Sequence, residues 1–275
     1  MTTTSPVNLL TRPEGRIAYE VAGQGPLVVL VPGMGDLRST YRYLAPELVQ
    51  AGYRVASVDL RGHGDSDTTF TDLGDAATGS DVLALVSELG GPAVVIGNSM
   101  GAGAAAWAAA ERPGLVRGLV LVGPFVRDAA TSTLQRLMLR LAMVPLWAAA
   151  SWKSYLPKLY AGRKPDDFDT HRRNVVASLK RPGHAVAFSA TTRISHRETA
   201  ARLDDVSAPT LVVMGELDPD FPSPAVEAAW IADALDGEVL LVPDAGHYPQ
   251  SQRPDLVTPA VLGFLRQLGP VAGDA

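Results

Sequence analysis

The stretch Val94-Val95-Ile96-Gly97-Asn98-Ser99-Met100-Gly101 restricts the fold of this chain more than any other. A short apolar run ends at Gly97, a serine follows two residues later, and an alanine-rich segment begins after Gly101. The stretch reads as strand, sharp turn and helix, with Gly-x-Ser-x-Gly at the bend. A serine in such a turn takes a strained backbone angle that lifts its hydroxyl above the sheet. Glycine at 97 and 101 follows from sterics, because side chains there would collide where strand and helix pack. The pentapeptide alone is weak evidence; the strand before it and the helix after it give it meaning.

The rest of the chain repeats that alternation. Segments 16–22, 27–31, 53–58, 116–122, 210–214 and 238–242 read as strands. Segments 39–51, 75–89, 100–111, 224–235 and 254–268 read as helices. The run at 27–31 is apolar throughout, the pattern of a strand buried on both faces of a parallel sheet. Strands alternating with helices predict an α/β fold, a mostly parallel central sheet covered by helices on both faces. From 125 to 205 the alternation stops, and 134–152, 168–179 and 183–203 read as helical. The expected organisation is therefore a core of residues 1–124 and 206–275, with a helical cap, 125–205, inserted after the 116–122 strand.

Composition removes several classes of function. A chain of 275 residues with 47% hydrophobic content can bury one large core. Its net charge is −5 and no basic tract is present, so nucleic acid is not an expected partner. Cysteine is absent, which removes disulfides, thiolate metal sites and a cysteine nucleophile. Residues 1–13 have no apolar signal core, and the apolar stretch 137–152 is interrupted by Arg140, Pro145 and Ser151. No membrane partner is expected, and the protein is read as soluble and cytoplasmic.

A site in such a sheet belongs at the carboxyl ends of the strands. Three groups follow predicted strands, besides Ser99 itself. Pro32-Gly33-Met34-Gly35 can aim the Met34 N–H into the site, where it would join the Met100 N–H in holding an oxyanion. A dinucleotide loop is excluded there, because Arg38 stands where Gly-x-Gly-x-x-Gly needs its third glycine. Asp218 follows the 210–214 strand, and His247 follows the 238–242 strand. A serine hydroxyl needs a base within reach, and the imidazole needs a carboxylate to fix its tautomer. Ser99, Asp218 and His247 supply these roles in the order serine, acid, histidine. Asp128, soon after the 116–122 strand, is the alternative acid.

These residues carry a resemblance to the α/β-hydrolase fold superfamily, in its serine-nucleophile branch with a helical cap, over about residues 16–268. The loop Asp59-Leu60-Arg61-Gly62-His63-Gly64-Asp65-Ser66 resembles the loop after the fourth strand in many members, and Gly215-x-x-Asp218 and Gly246-His247 match the acid and base motifs. The resemblance implies Ser99 as nucleophile, His247 as base, Asp218 as acid, and the N–H groups of Met34 and Met100 as oxyanion hole. The family's usual His-Gly pair reads Pro32-Gly33 here. Dehalogenase and epoxide-hydrolase branches need a carboxylate nucleophile, and this chain has serine. No metal and no organic cofactor are implied. The expected partner is a small or medium ester or lactone with an apolar part, because the cap is apolar. Trp147, Trp152, Met138 and Met143 are candidates for pocket wall or cap core. The same triad also fits a C–C bond hydrolase, a cofactor-free perhydrolase or haloperoxidase-like enzyme, or a ligand-binding protein that retains it. His63 and Arg61 read as organisers of their loop, while His171, His184 and His196 lack metal-ligand spacing.

Overall fold

The computed structural model describes residues 6–128 and 133–269. Eight strands form one sheet: β1 (Asn8–Arg12), β2 (Gly15–Ala22), β3 (Leu27–Val31), β4 (Arg54–Val58), β5 (Ala93–Asn98), β6 (Val116–Val122), β7 (Thr210–Gly215) and β8 (Glu238–Val242). Their spatial order is β1-β2-β4-β3-β5-β6-β7-β8. The β1–β2 and β2–β4 pairs are antiparallel, and every later pair is parallel.

After β3 the chain goes to one side for β4 and then to the other for β5, so the connections leaving the carboxyl ends of β3 and β5 run in opposite directions. An open α/β sheet has its ligand crevice at such a reversal.

The helices are α1 (Leu44–Gln50), α2 (Asp75–Glu88), α3 (Met100–Glu111), α4 (Thr133–Ala142), α5 (Ala148–Leu159), α6 (Phe168–Leu179), α7 (His184–Thr191), α8 (Arg197–Ala200), α9 (Pro224–Ala234), α10 (Pro249–Gln252) and α11 (Pro254–Gln267). Strand alternation divides the core. Leu27, Val29 and Val31 of β3 face the cluster built with α2, α3 and α9. Val28 and Leu30 face the cluster built with α1 and α11. Both faces of the central strands are thus shielded, which explains their unbroken apolar runs.

Helices α4 to α8 lie between β6 and β7, and Trp152, Leu156 and Phe188 form a third apolar cluster there. The insertion is stitched to the core by polar contacts. His171 Nε2 lies 2.8 Å from Asp36 Oδ1. Arg42 binds Asp167 through two contacts of 2.6 Å. The His247 N–H donates to Leu159 O at 2.7 Å. At its exit, His196 and Thr199 bind Asp75, and Leu203 joins the core cluster beside α3.

Three differences from the sequence reading have local causes. β1 was not expected, because only Leu10 of its five residues turns inward. The 39–51 segment divides into a 3-10 turn, Arg38–Tyr41, and α1, whose third residue is Pro46. A proline there has no N–H for Arg42 O and its ring would clash with that carbonyl. Pro145 separates α4 from α5 in the same manner, where 134–152 read as one helix.

Candidate active site

Ser99 sits at the carboxyl end of β5, just before α3, with φ 56° and ψ −123°. This left-handed region is costly for a residue with a Cβ, and it is the strained turn that the sequence pattern implied. Gly97 makes the turn possible: a Cβ on it would lie 2.3 Å from the Gly101 carbonyl oxygen. The turn is held from behind by Asn98, which is fully buried. Its Nδ2 donates to Val122 O at 3.0 Å and to His247 O at 3.1 Å, fastening the serine strand to the main chain of the histidine.

His247 follows β8 and is buried. Its Nδ1 lies 2.7 Å from Asp218 Oδ2, at the end of β7. The carboxylate accepts there, so Nδ1 carries the proton and Nε2 is the nitrogen not engaged by Asp218. Asp218 Oδ1 accepts the Asp220 N–H at 3.0 Å. Asp220 Oδ2 stands 3.8 Å from His247 Nδ1, and Asp220 Oδ1 accepts the Tyr155 hydroxyl at 2.8 Å. Burial opposes charge on His247, but the charge and hydrogen bond of Asp218, aided by Asp220, prevail and push its pKa up to about 9. Burial is also the main influence on Asp220, whose pKa rises. Asp220 and Tyr155 were missed in the sequence. The Asp-Pro-Asp run at 218–220 signals the former; Tyr155 has no local signal.

Ser99, Met34, Met100 and His247 line one cavity of about 490 Å³. Met100 is the first residue of α3, so its N–H has no acceptor within the helix. Among the described residues, no backbone acceptor engages the Met34 N–H either. The Met34 loop comes very close to the serine, since a Cβ on Gly33 would lie 2.8 Å from Ser99 Cβ. Its far side is fixed by Trp152, whose Nε1–H donates to Gly35 O at 2.8 Å. No hydrogen bond joins Ser99 to His247 among the described residues.

Asp218, Asp220 and His247 also have donor atoms within 4.8 Å of one another, as a metal site requires. Those atoms are already engaged with each other and with Tyr155, which suits proton transfer better than metal ligation.

Of the proposed pocket residues, Trp152 lines the cavity. Met138 and Trp147 are corrected by the structure, and Met143 takes the cap-core alternative. Met138 and Trp147 are 60% and 46% exposed, and the Trp147 indole donates to Leu141 O. Met143 is buried with Trp152 and Leu156 in the core of the insertion. The break at Pro145 puts Met138 and Trp152 on separate helices, so one helical phase does not orient both. Asp128 lines the cavity but accepts from Ser195 Oγ and the His196 N–H, not from His247.

His63 is buried with Nδ1 2.8 Å from Arg61 O, and Arg61 pairs with Asp81, so both organise their loop. His184 binds Gly64 O. The cavity wall is mixed: the apolar Phe125, Trp152, Leu159 and Tyr248 share it with Arg193, Ser195, His196 and Arg197. A larger groove of about 880 Å³, between the β2–β4 pair and α6, contains none of the serine, acid or histidine positions.

Comparison with known proteins agrees with this fold. Residues 28–260 match a family described as the alpha/beta hydrolase family. A 2-(acetamidomethylene)succinate hydrolase of Mesorhizobium japonicum is 27% identical over 267 residues, 91% of this chain and 92% of that protein. A 2-hydroxy-6-oxo-6-phenylhexa-2,4-dienoate hydrolase of Comamonas testosteroni is 27% identical over 271 residues, 91% of each chain. A thermophilic esterase from Thermogutta terrifontis superposes with a TM-score of 0.77 at 26% identity, covering 96% of this chain and 99% of its own.

Proposed function

Because this chain belongs to the alpha/beta hydrolase family, we propose that it cleaves a carboxylic ester or lactone with an apolar part through an acyl-enzyme on Ser99. The observation that carries this reading is the strained Ser99, φ 56°, opening on the same cavity as a His247 bound to Asp218 at 2.7 Å.

In this reading neutral His247 takes the Ser99 proton at Nε2 as Oγ attacks the carbonyl carbon. Negative charge moves to the carbonyl oxygen, which the N–H groups of Met34 and Met100 hold. Asp218 stabilises the imidazolium without accepting its proton. The tetrahedral intermediate collapses, the C–O bond to the alcohol breaks, and His247 returns the proton to the leaving oxygen. Water then attacks the acyl-enzyme, giving its proton to His247, and Ser99 leaves protonated. Phe125, Trp152, Leu159 and Tyr248 supply an apolar wall for the substrate.

A second reading keeps the same residues and cleaves a C–C bond. The Comamonas relative, named as a hydrolase of an oxo-phenylhexadienoate, favours keeping it in view.

The test combines three measurements. A phosphonofluoridate should add once, on Ser99, because its tetrahedral phosphorus resembles the charged intermediate. An activated short-chain ester should give many product equivalents per site. Ser99→Ala should abolish both and leave the melting temperature nearly unchanged, since alanine keeps the Cβ and the same backbone angle at 99. Product release that stops at about one equivalent would favour a binding protein with an idle triad. Retention of substantial turnover by Ser99→Ala would refute the nucleophile.

A further inference from the structure

His196 stands in the wall of the cavity that holds Ser99 and His247, and the reaction described above gives it no part. Its ring stacks on Phe125 at 5.8 Å and 27°. Phe125 in turn meets His247 edge-on at 6.0 Å. One phenyl ring thus separates two imidazoles, both backed by carboxylates.

The stack on Phe125 and a hydrogen bond at Nδ1 fix the orientation of the His196 ring. Nδ1 lies 2.8 Å from Asp75 Oδ2, and the Thr199 hydroxyl donates to the same oxygen at 2.8 Å. Asp75 is buried at the start of α2. The His196 N–H donates to Asp128 Oδ1 at 2.7 Å, which anchors the backbone as well. An ionised carboxylate cannot donate, so Nδ1 carries the proton and Nε2 is left over. Among the described residues Nε2 has no hydrogen-bond partner. The hydroxyls of Thr191, Thr192 and Ser195 along the same wall donate to Phe188 O, Ser189 O and Asp128. A tie between the insertion and α2 needs only the Nδ1 end of the ring. The stacked and doubly anchored imidazole presents its other nitrogen as a preorganised acceptor.

We propose that His196 is a substrate-contacting residue that selects esters carrying a hydroxyl on the acyl or alcohol part, accepted at Nε2. This rests on the acyl-enzyme reading of Ser99.

The experiment measures kcat/KM on two matched pairs: a 4-nitrophenyl hydroxyalkanoate against the alkanoate of equal length, and a hydroxyalkyl acetate against the alkyl acetate. The wild type should prefer the hydroxyl member of at least one pair by about tenfold or more, the scale of one well-placed hydrogen bond. His196→Asn keeps an N–H for Asp75 and removes the Nε2 end, so the preference should fall toward one. His196→Gln, whose amide reaches toward the place of Nε2, should retain more of it. Phosphonofluoridate labelling of Ser99 checks that each variant is folded.

No hydroxyl preference in the wild type, or a preference untouched in both variants, overturns the proposal. A uniform loss on all four esters makes His196 a structural tie and overturns it too. Failure of the wild type to label or to turn over any ester overturns the acyl-enzyme reading first. Labelling and turnover without hydroxyl preference overturn only the role of His196.

Discussion

The indole N–H of Trp152 donates to the carbonyl of Gly35 at 2.8 Å, binding a helix of the insertion to the loop that presents the Met34 N–H. Trp152 is therefore more than a wall. Trp152→Phe keeps most of the apolar volume and removes the donor. We expect turnover to fall about tenfold on every ester, acetate included, because a neutral hydrogen bond contributes about 1 kcal/mol. Steady-state kinetics over an acyl-chain series checks this. A change confined to chain-length preference would reduce Trp152 to packing.

Proton transfer has a direction in pH. Burial disfavours charge on His247, yet Asp218 and Asp220 push its pKa up to about 9, above the ordinary 6.5. The cation cannot take the serine proton, so kcat/KM should rise with pH, with a midpoint displaced above 6.5 toward 9. Asp218→Asn removes the leading cause of the increase, so the midpoint should move down while turnover drops by on the order of 10⁴. Linkage has a matching sign. A raised histidine pKa stabilises the fold below about pH 6.5, and that contribution is lost as pH climbs through about 9. An acid limb at or below 6.5 in the wild type would contradict the ion pair.

Crowding at the serine gives a steric prediction. A Cβ on Gly33 would meet Ser99 Cβ at 2.8 Å, with the Asn98 carbonyl oxygen at 3.3 Å. Gly33→Ala must displace the loop or the nucleophile. We expect a loss of ~10²–10³ in kcat, the cost of a misplaced oxyanion donor, with the melting temperature changed far less. Near-normal kcat would mean that the Met34 N–H is not used.

His63 supplies the opposite pH dependence for stability. Burial drives its pKa down to about 4, so the folded protein keeps it neutral where the unfolded chain begins to protonate near 6.5. Its contribution to stability is intact above about 6.5 and is lost as pH falls toward 4, on the order of 3 kcal/mol. His63→Asn keeps a donor for Arg61 O without that titration. The difference in melting temperature between the two proteins should shrink as the pH is lowered from 7 to 4. A constant difference would show that His63 does not titrate with folding.

Much of this site is local in sequence, and that part was legible. Strand, bend and helix around Ser99 lie within one contiguous stretch, and Asp218 and His247 each follow an apolar run directly. β3, β6, β8 and α3 matched their expected limits because continuous apolar or alanine-rich patterns set them. What escaped depends on distant neighbours. Tyr155 reaches Asp220 only because the insertion folds over β7, and His196 meets Asp75 across a separation of 121 residues. Met138 and Trp147 misled for a related reason: apolar side chains in an insertion can face its own core, the cavity or solvent, and periodicity does not distinguish these.

The bond from the His247 N–H to Leu159 O, 2.7 Å long, bears on how such a protein can be rebuilt. Insertions between two strands invite exchange, since a foreign segment could be grafted there to supply a new specificity. Here the end of α5 is also the acceptor for the backbone of the proposed base. A graft that altered the course of the chain at 159 would leave that buried amide unpaired, a penalty of about 1–3 kcal/mol, and would free the histidine loop to drift. Redesign of substrate choice should therefore keep the α5 terminus and vary the segment from 191 to 197 instead.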